Sequence, residues 1–187
     1  MMAKYSVTMF SLVFSLVALS FLAGCGEEDV PPPVPQELTG NDAGYFCSMT
    51  VIGHPGPKAQ IHLTGKEKPL WFTSVRDMFG FLLLPGESRE VAAIYVTDMT
   101  GNEDWEGAAK GPWIDPKTAW FVIDSSKTGG MGAAETVPFS GKEDAQFFAD
   151  KFGGRLVSFG DVPPDYIFNT NSGLEYDRAE SAMPGKD

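Results

Sequence analysis

The sequence is poor in the residues that most often carry chemistry, with two Cys and two His in 187 residues. There is no Cys-x-x-Cys pair, so disulfide exchange has no support. Basic residues are scarce as well: 14 Lys and Arg stand against 25 Asp and Glu, a formal net charge of -11. Affinity for phosphates needs a basic face, and none is visible, which excludes a nucleic-acid binder. Gly-x-Ser-x-Gly, Walker-type Gly-Lys-Thr and Gly-x-Gly-x-x-Gly are all missing, which removes the common hydrolase, nucleotide and dinucleotide enzymes. A large multidomain enzyme is excluded by length alone. What is present is 43% hydrophobic residues, Phe 14 among them, together with Gly 21. That is ample for a packed core in one domain or two small ones.

Long apolar runs are limited to the N-terminus. Lys4 is the only charge before the run from Met9 to Ala23. As a helix this run would span about 22 Å, short of the hydrocarbon core of about 30 Å. It reads as an export signal rather than a membrane anchor. Leu22-Ala23-Gly24-Cys25 matches the lipobox of bacterial lipoproteins, in which cleavage before the Cys is followed by lipidation of its thiol; the alternative is an ordinary secretory signal with an incidental Cys. Gly26 stands where Asp would mark inner-membrane retention, which favours the outer membrane, with the domain facing the periplasm. A lipidated Cys25 cannot form a disulfide, so the mature chain keeps one thiol, Cys47, in an oxidising compartment.

Composition divides the chain into a signal peptide (1–24), a lipidated Cys with a Pro-rich tether (25–40), two folded units (41–110 and 111–169) and a polar tail (170–187). The folded units carry a repeat. Phe72-Thr73-Ser74 with Asp77 and Phe81 recurs as Phe139-Ser140-Gly141 with Asp144 and Phe148. In the first half, alternation and turn residues predict strands over Ala59 to Gly65, Pro69 to Thr73 and Val91 to Thr97, with a helix from Val75 to Leu84. The second half repeats that order, with strands at Thr118 to Asp124, Thr136 to Phe139 and Arg155 to Phe159 and a helix at Lys142 to Phe152. The expected fold is α+β, built from two tandem similar ββαβ subdomains. Ser74 with Asp77, and Ser140 with Glu143, are expected to cap the helix starts. Pro85-Gly86 and Gly153-Gly154 supply the stops. Phe79, Leu82 and Leu83 in one helix, and Phe147, Phe148 and Phe152 in the other, should cover the sheets.

Tyr45-Phe46-Cys47-Ser48-Met49 is the stretch richest in chemistry. In extended backbone Cys47 and Met49 would point the same way. A thiolate and a thioether together suit Cu(I) far better than Mg²⁺ or Ca²⁺. Zinc would prefer more thiolates or imidazoles. Lys127-Thr128-Gly129-Gly130-Met131-Gly132-Ala133 offers a further sulfur on a Gly-rich loop, where Met131 either completes a trigonal Cu(I) site or covers an apolar gap. His54, in His54-Pro55-Gly56-Pro57, lies seven residues beyond Cys47 and carries an imidazole suited to copper or zinc. His62 belongs to surface or packing, Met78 and Met99 to the core, and Met183 to the tail.

The lipobox, Phe46-Cys47-Ser48-Met49, His54-Pro55 with Ala59-Gln60-Ile61, Ile94-Tyr95-Val96-Thr97-Asp98 and Gly130-Met131-Gly132 together resemble the NosL family of copper-chaperone lipoproteins. The resemblance extends from Cys25 to Tyr166. It implies a non-enzymatic, membrane-anchored metallochaperone that delivers Cu(I) for nitrous oxide reductase maturation and docks on the associated ABC-type maturation complex. It carries metal binding to Cys47, Met49 and Met131. His54 stays a candidate, with zinc at the same or an adjacent site as an alternative. Two other readings compete. One is a lipid-anchored periplasmic interaction module with Cys47 buried and no metal. The other is a thiol enzyme with Cys47 as nucleophile and His54 as base, for which the sequence offers neither an orienting third group nor an oxyanion site.

Overall fold

Short apolar runs between turn residues become short strands, and the periodic stretches between them become helices. The computed structural model describes residues 31–86 and 90–168; the leader, Cys25 and the tail from 170 lie outside the described residues. In chain order the elements are β1 (Ala59–Leu63), β2 (Leu70–Phe72), α1 (Val75–Leu83), β3 (Val91–Thr97), β4 (Trp113–Ile114), β5 (Trp120–Ile123), β6 (Val137–Phe139), α2 (Lys142–Phe152), β7 (Arg155–Ser158) and α3 (Pro164–Phe168). They form a mixed α+β fold with two antiparallel sheets and three helices. The sheet orders are β2-β1-β3-β4 and β6-β5-β7. In both, the first strand of a strand-strand-helix-strand series lies between the other two.

β4 and α3 were not legible in the sequence, because two strand residues or a five-residue helix carry too little periodicity to read. Trp113–Ile114 pairs with Thr97 and Val96 of β3. The stretch just past 110 thus completes the first sheet. The two sheets also share a core. Ile61, Phe72, Phe79 and Val96 pack in one cluster with Phe121, Ile123 and Val157, and Phe79 meets Phe121 edge-on at 5.3 Å between ring centres. A second cluster joins Met99 and Ala108, from the connection after β3, to Val122, Val137, Phe139, Ala145 and Ala149. Met78 and Met99 are buried, as expected.

The α1 cap forms as the sequence predicts, with Ser74 Oγ accepting from Asp77 N at 3.0 Å. The second cap does not. Gly141 occupies that position without a side-chain bond, while Ser140 Oγ donates to Asp98 Oδ2 and Ser140 N donates to Asp98 Oδ1 at 2.9 Å. Ser140 lies one position before the cap, and the Asp98 carboxylate accepts from both its hydroxyl and its N–H, holding it there. Two expected core residues are also corrected: Leu83 is exposed, and Phe147 is 63% exposed. The helix faces turn Phe79 and Phe81 inward in α1, and Ala145 and Ala149 inward in α2. Small alanines let α2 approach its sheet closely, with Phe148 and Phe152 at the flank.

The Pro-rich segment is fastened to the first sheet from Pro33 onward. Tyr95 Oη donates to Pro33 O at 2.8 Å, and Gln36 exchanges bonds with the Gln60 amide at 2.9 and 3.0 Å. This cover buries the polar face of β1. His62 is consequently a packing residue, bonded to Gln60 Oε1 at 2.8 Å, and desolvation lowers its pKa.

Candidate metal site

Residues 44–50 do not run as a strand. Gly44 N donates to Met49 O, and Ser48 N donates to Gly44 O, both at 2.8 Å, closing a turn over Tyr45, Phe46 and Cys47. Ser48 takes φ 56, the left-handed region. The alternation that would have placed Cys47 and Met49 on one strand face therefore does not apply. They share one tight turn instead. The turn is clipped to β2 through Tyr45 N to Trp71 O at 2.7 Å. Cys47 is half-buried, with its sulfur folded back so that a Cβ on Gly44 would lie 2.7 Å away. Tyr45, Phe46 and Met49 around it are exposed.

Thr73, at the end of β2, is the inner neighbour of that turn. Its Oγ1 stands 4.0 Å from Cys47 Sγ and donates to Asp77 Oδ2 at 3.4 Å. Burial raises the pKa of Asp77, against the pull of the Ser74 and Thr73 hydroxyls. The carbonyl of the same Thr73 faces the Gly-rich loop, where a Cβ on Gly130 would lie 3.1 Å from it and 2.7 Å from His54 Cβ. Glycine at 130 is required by this close approach.

The Gly-rich loop is a hairpin tip between β5 and β6. Thr128 bridges Ala134, Gly129 N donates to Ala133 O at 2.8 Å, and Gly132 N donates to Gly129 O at 2.9 Å. Met131 projects at the tip, 52% exposed. His54 follows a short helical turn at Val51–Gly53, and its Nδ1 lies 3.0 Å from Gly130 O. A carbonyl only accepts, so Nδ1 holds the proton and Nε2 carries the lone pair of the neutral ring. That is how a metal-binding imidazole is commonly oriented.

The fold thus brings His54 directly against the Met131 loop, and brings the Cys47 turn to the same place through Thr73. Met49 travels with Cys47. His62 is held apart by Gln60, and Met183 lies outside the described residues. No group of three or more His, Cys, Asp or Glu side chains suited to a metal ion occurs among the described residues. Beside Thr73 lie the Cys47 sulfur and the backbone of the loop that carries Met131.

Beneath the loops lies a buried pair that has no sequence signature. Lys58 and Glu135 are both fully buried. Lys58 Nζ donates to Pro55 O at 2.9 Å and to Gly56 O. Desolvation lowers its pKa to about 8, against the pull of Glu135 and Glu106. Burial pushes the Glu135 carboxyl up to about 8, against hydrogen bonds from Arg76 N and Thr136 N. Nothing in the local sequence separates these charges from exposed ones, because long-range packing alone decides their burial.

A small α+β protein with soft donors on adjoining loops is the class that this geometry defines. Residues 35–167 match the NosL family model. The chain is 37% identical over 156 residues to the copper-binding lipoprotein NosL of Achromobacter cycloclastes, covering 83% of this chain and 81% of that protein. It is 35% identical over 150 residues to the copper-binding lipoprotein NosL of Stutzerimonas stutzeri, covering 78% and 76%. The crystal structure of the copper chaperone NosL from Shewanella denitrificans superposes with a TM-score of 0.66 at 34% identity, covering 72% of this chain and 98% of that one. The chain belongs to the NosL family.

Proposed function

We propose that this protein is a membrane-anchored Cu(I) metallochaperone that delivers copper for assembly of the copper centres of nitrous oxide reductase. Cys47, Met49 and Met131 are its metal ligands, and His54 adjoins them. The observation that supports this reading is that the Cys47 sulfur and the Gly130 backbone both lie against Thr73, one beside its hydroxyl and the other beside its carbonyl. One thiolate and two thioethers form a soft donor set matched to Cu(I). A chaperone must also release its cargo. Ligands on exposed turns, with Met49 and Met131 reaching solvent, permit exchange onto an incoming partner. The family names support the metal: two relatives are named copper-binding lipoproteins and a third a copper chaperone.

The remaining features follow the same reading. Cys25 carries the lipid, and the domain faces the periplasm from the outer membrane. The repeated strand-strand-helix-strand series forms two similar ββαβ subdomains. Exposed Tyr45 and Phe46 beside Cys47 suit docking on the ABC-type maturation complex or the reductase itself. Zinc at His54 is a second occupant to be tested beside copper.

Cu(I) titration against a chromophoric chelator tests the central point. One Cu(I) per monomer is expected for the wild type, with binding lost or strongly weakened in Cys47→Ser. Equal affinity in that variant would overturn the ligand assignment.

A further inference from the structure

The fully buried Glu135 sits where the loops of the candidate site are held together. Its Oε1 accepts from Arg76 N at 3.1 Å and from Thr136 N at 2.8 Å, joining the first turn of α1 to the start of β6. Its own backbone N donates to Lys127 O at 2.9 Å, closing the base of the Met131 hairpin. The second oxygen, Oε2, is buried without a hydrogen-bond partner. It lies against Gly129, where an added Cβ would strike it and come within 2.9 Å of Ser74 Cβ. A Cβ on Gly56 would stand 3.7 Å from the same oxygen. The carboxylate is therefore wedged between the head of α1, which Thr73 and Ser74 lead into, and the two loops that carry His54 and Met131. Lys58 fixes one of those loops from below through the carbonyls of Pro55 and Gly56.

Burying a carboxyl group with one oxygen unpartnered is costly whether or not it is ionised, and an apolar side chain of equal volume would pack the same space without that penalty. What an apolar side chain cannot do is bond Arg76 N and Thr136 N at once. We propose that Glu135 is a positioning residue for the Met131 sulfur: its wedged carboxyl group sets how far the hairpin tip stands from Cys47, and so sets Cu(I) affinity without touching the metal. The inference rests on the Cu(I) reading above.

The test is Cu(I) affinity, by chelator competition, of Glu135→Leu, Glu135→Gln and Gly129→Ala, each made in the wild type and in Met131→Ala. Glu135→Leu removes the acceptor. Gly129→Ala pushes the hairpin off the carboxylate. Both should lower affinity about tenfold, as substitutions behind metal ligands do, while Glu135→Gln, which keeps an oxygen for both N–H groups, should rescue binding. In the Met131→Ala background none of the three should lower affinity further. If Gly129→Ala binds as the wild type does, or costs the same factor without Met131, the positioning role is overturned. Should Glu135→Leu fail to fold, Gly129→Ala and Glu135→Gln decide the matter between them. A wild type that binds no Cu(I) overturns the Cu(I) reading itself, whereas a wild type whose binding needs Cys47 but is indifferent to Gly129→Ala overturns only the role of Glu135.

Discussion

Replacing Glu135 by Gln should change how stability depends on pH, and the sign follows from burial. The folded carboxyl titrates at about 8, because desolvation holds it neutral, whereas in the unfolded chain it ionises near its ordinary value of 4.5. Between those values the folded state holds a proton that the unfolded state has lost, so stability falls as pH rises. One proton is worth about 1.4 kcal/mol per pH unit. Between about pH 5.5 and about pH 7 the contribution of this one carboxyl group to wild-type stability should therefore fall by about 2 kcal/mol. Glu135→Gln carries no such proton and should lack that loss. His62, whose pKa burial lowers, acts in the opposite direction as pH rises toward its ordinary value. It is present in both proteins and cancels in the difference. Lys58 titrates at about 8, above the window. Urea unfolding followed by circular dichroism across this range measures the difference directly, provided the denaturant slope stays constant. Parallel pH dependences in the two proteins would refute the reasoning, and would mean that the pair is retained as carboxylate and ammonium.

Three other outcomes are expected. Phe121→Ala, in the buried cluster where β5 meets α1 with Phe79 5.3 Å away between ring centres, should cost about 3–5 kcal/mol in the same urea assay. Ser74→Ala should cost about 1 kcal/mol through loss of the α1 cap, and a change below the error of the measurement would remove that bond from the account. Gly44→Ala should weaken Cu(I) binding in chelator competition while leaving the copper to sulfur count in X-ray absorption unchanged, because a Cβ at 44 displaces the Cys47 sulfur without removing it.

Most of the architecture was legible because it is local. Val91–Thr97 and Lys142–Phe152 have the limits that alternation and helical spacing predict, and the other anticipated elements differ mainly by trimmed ends. Failures arose where distant groups compete. Ser140 looks like a cap, but α2 starts one residue later, and Ser140 is held outside the helix by Asp98, 42 positions away. Phe147 looks like core until the direction of α2 is known. The conformation at Cys47 is open in the sequence for a related reason: Cys47 and Met49 would share a face only in extended backbone, and the two backbone bonds that bend the stretch are visible only in the folded chain.

The site divides along the same line. Sequence alone determined that Cys47 and Met49 lie two positions apart and that Met131 belongs to a loop of glycines, because residue identity and short spacing carry those facts. It also determined the acidic charge balance, a formal net charge of -11. Tertiary structure decided that Thr73 has Cys47 on one side and Gly130 on the other, that His54 presents Nε2, and that Lys58 and Glu135 lie buried beneath the loops. Each of these depends on segments far apart in the chain approaching within a few ångströms. Such approaches are set by the packing of the whole core, which no local pattern encodes.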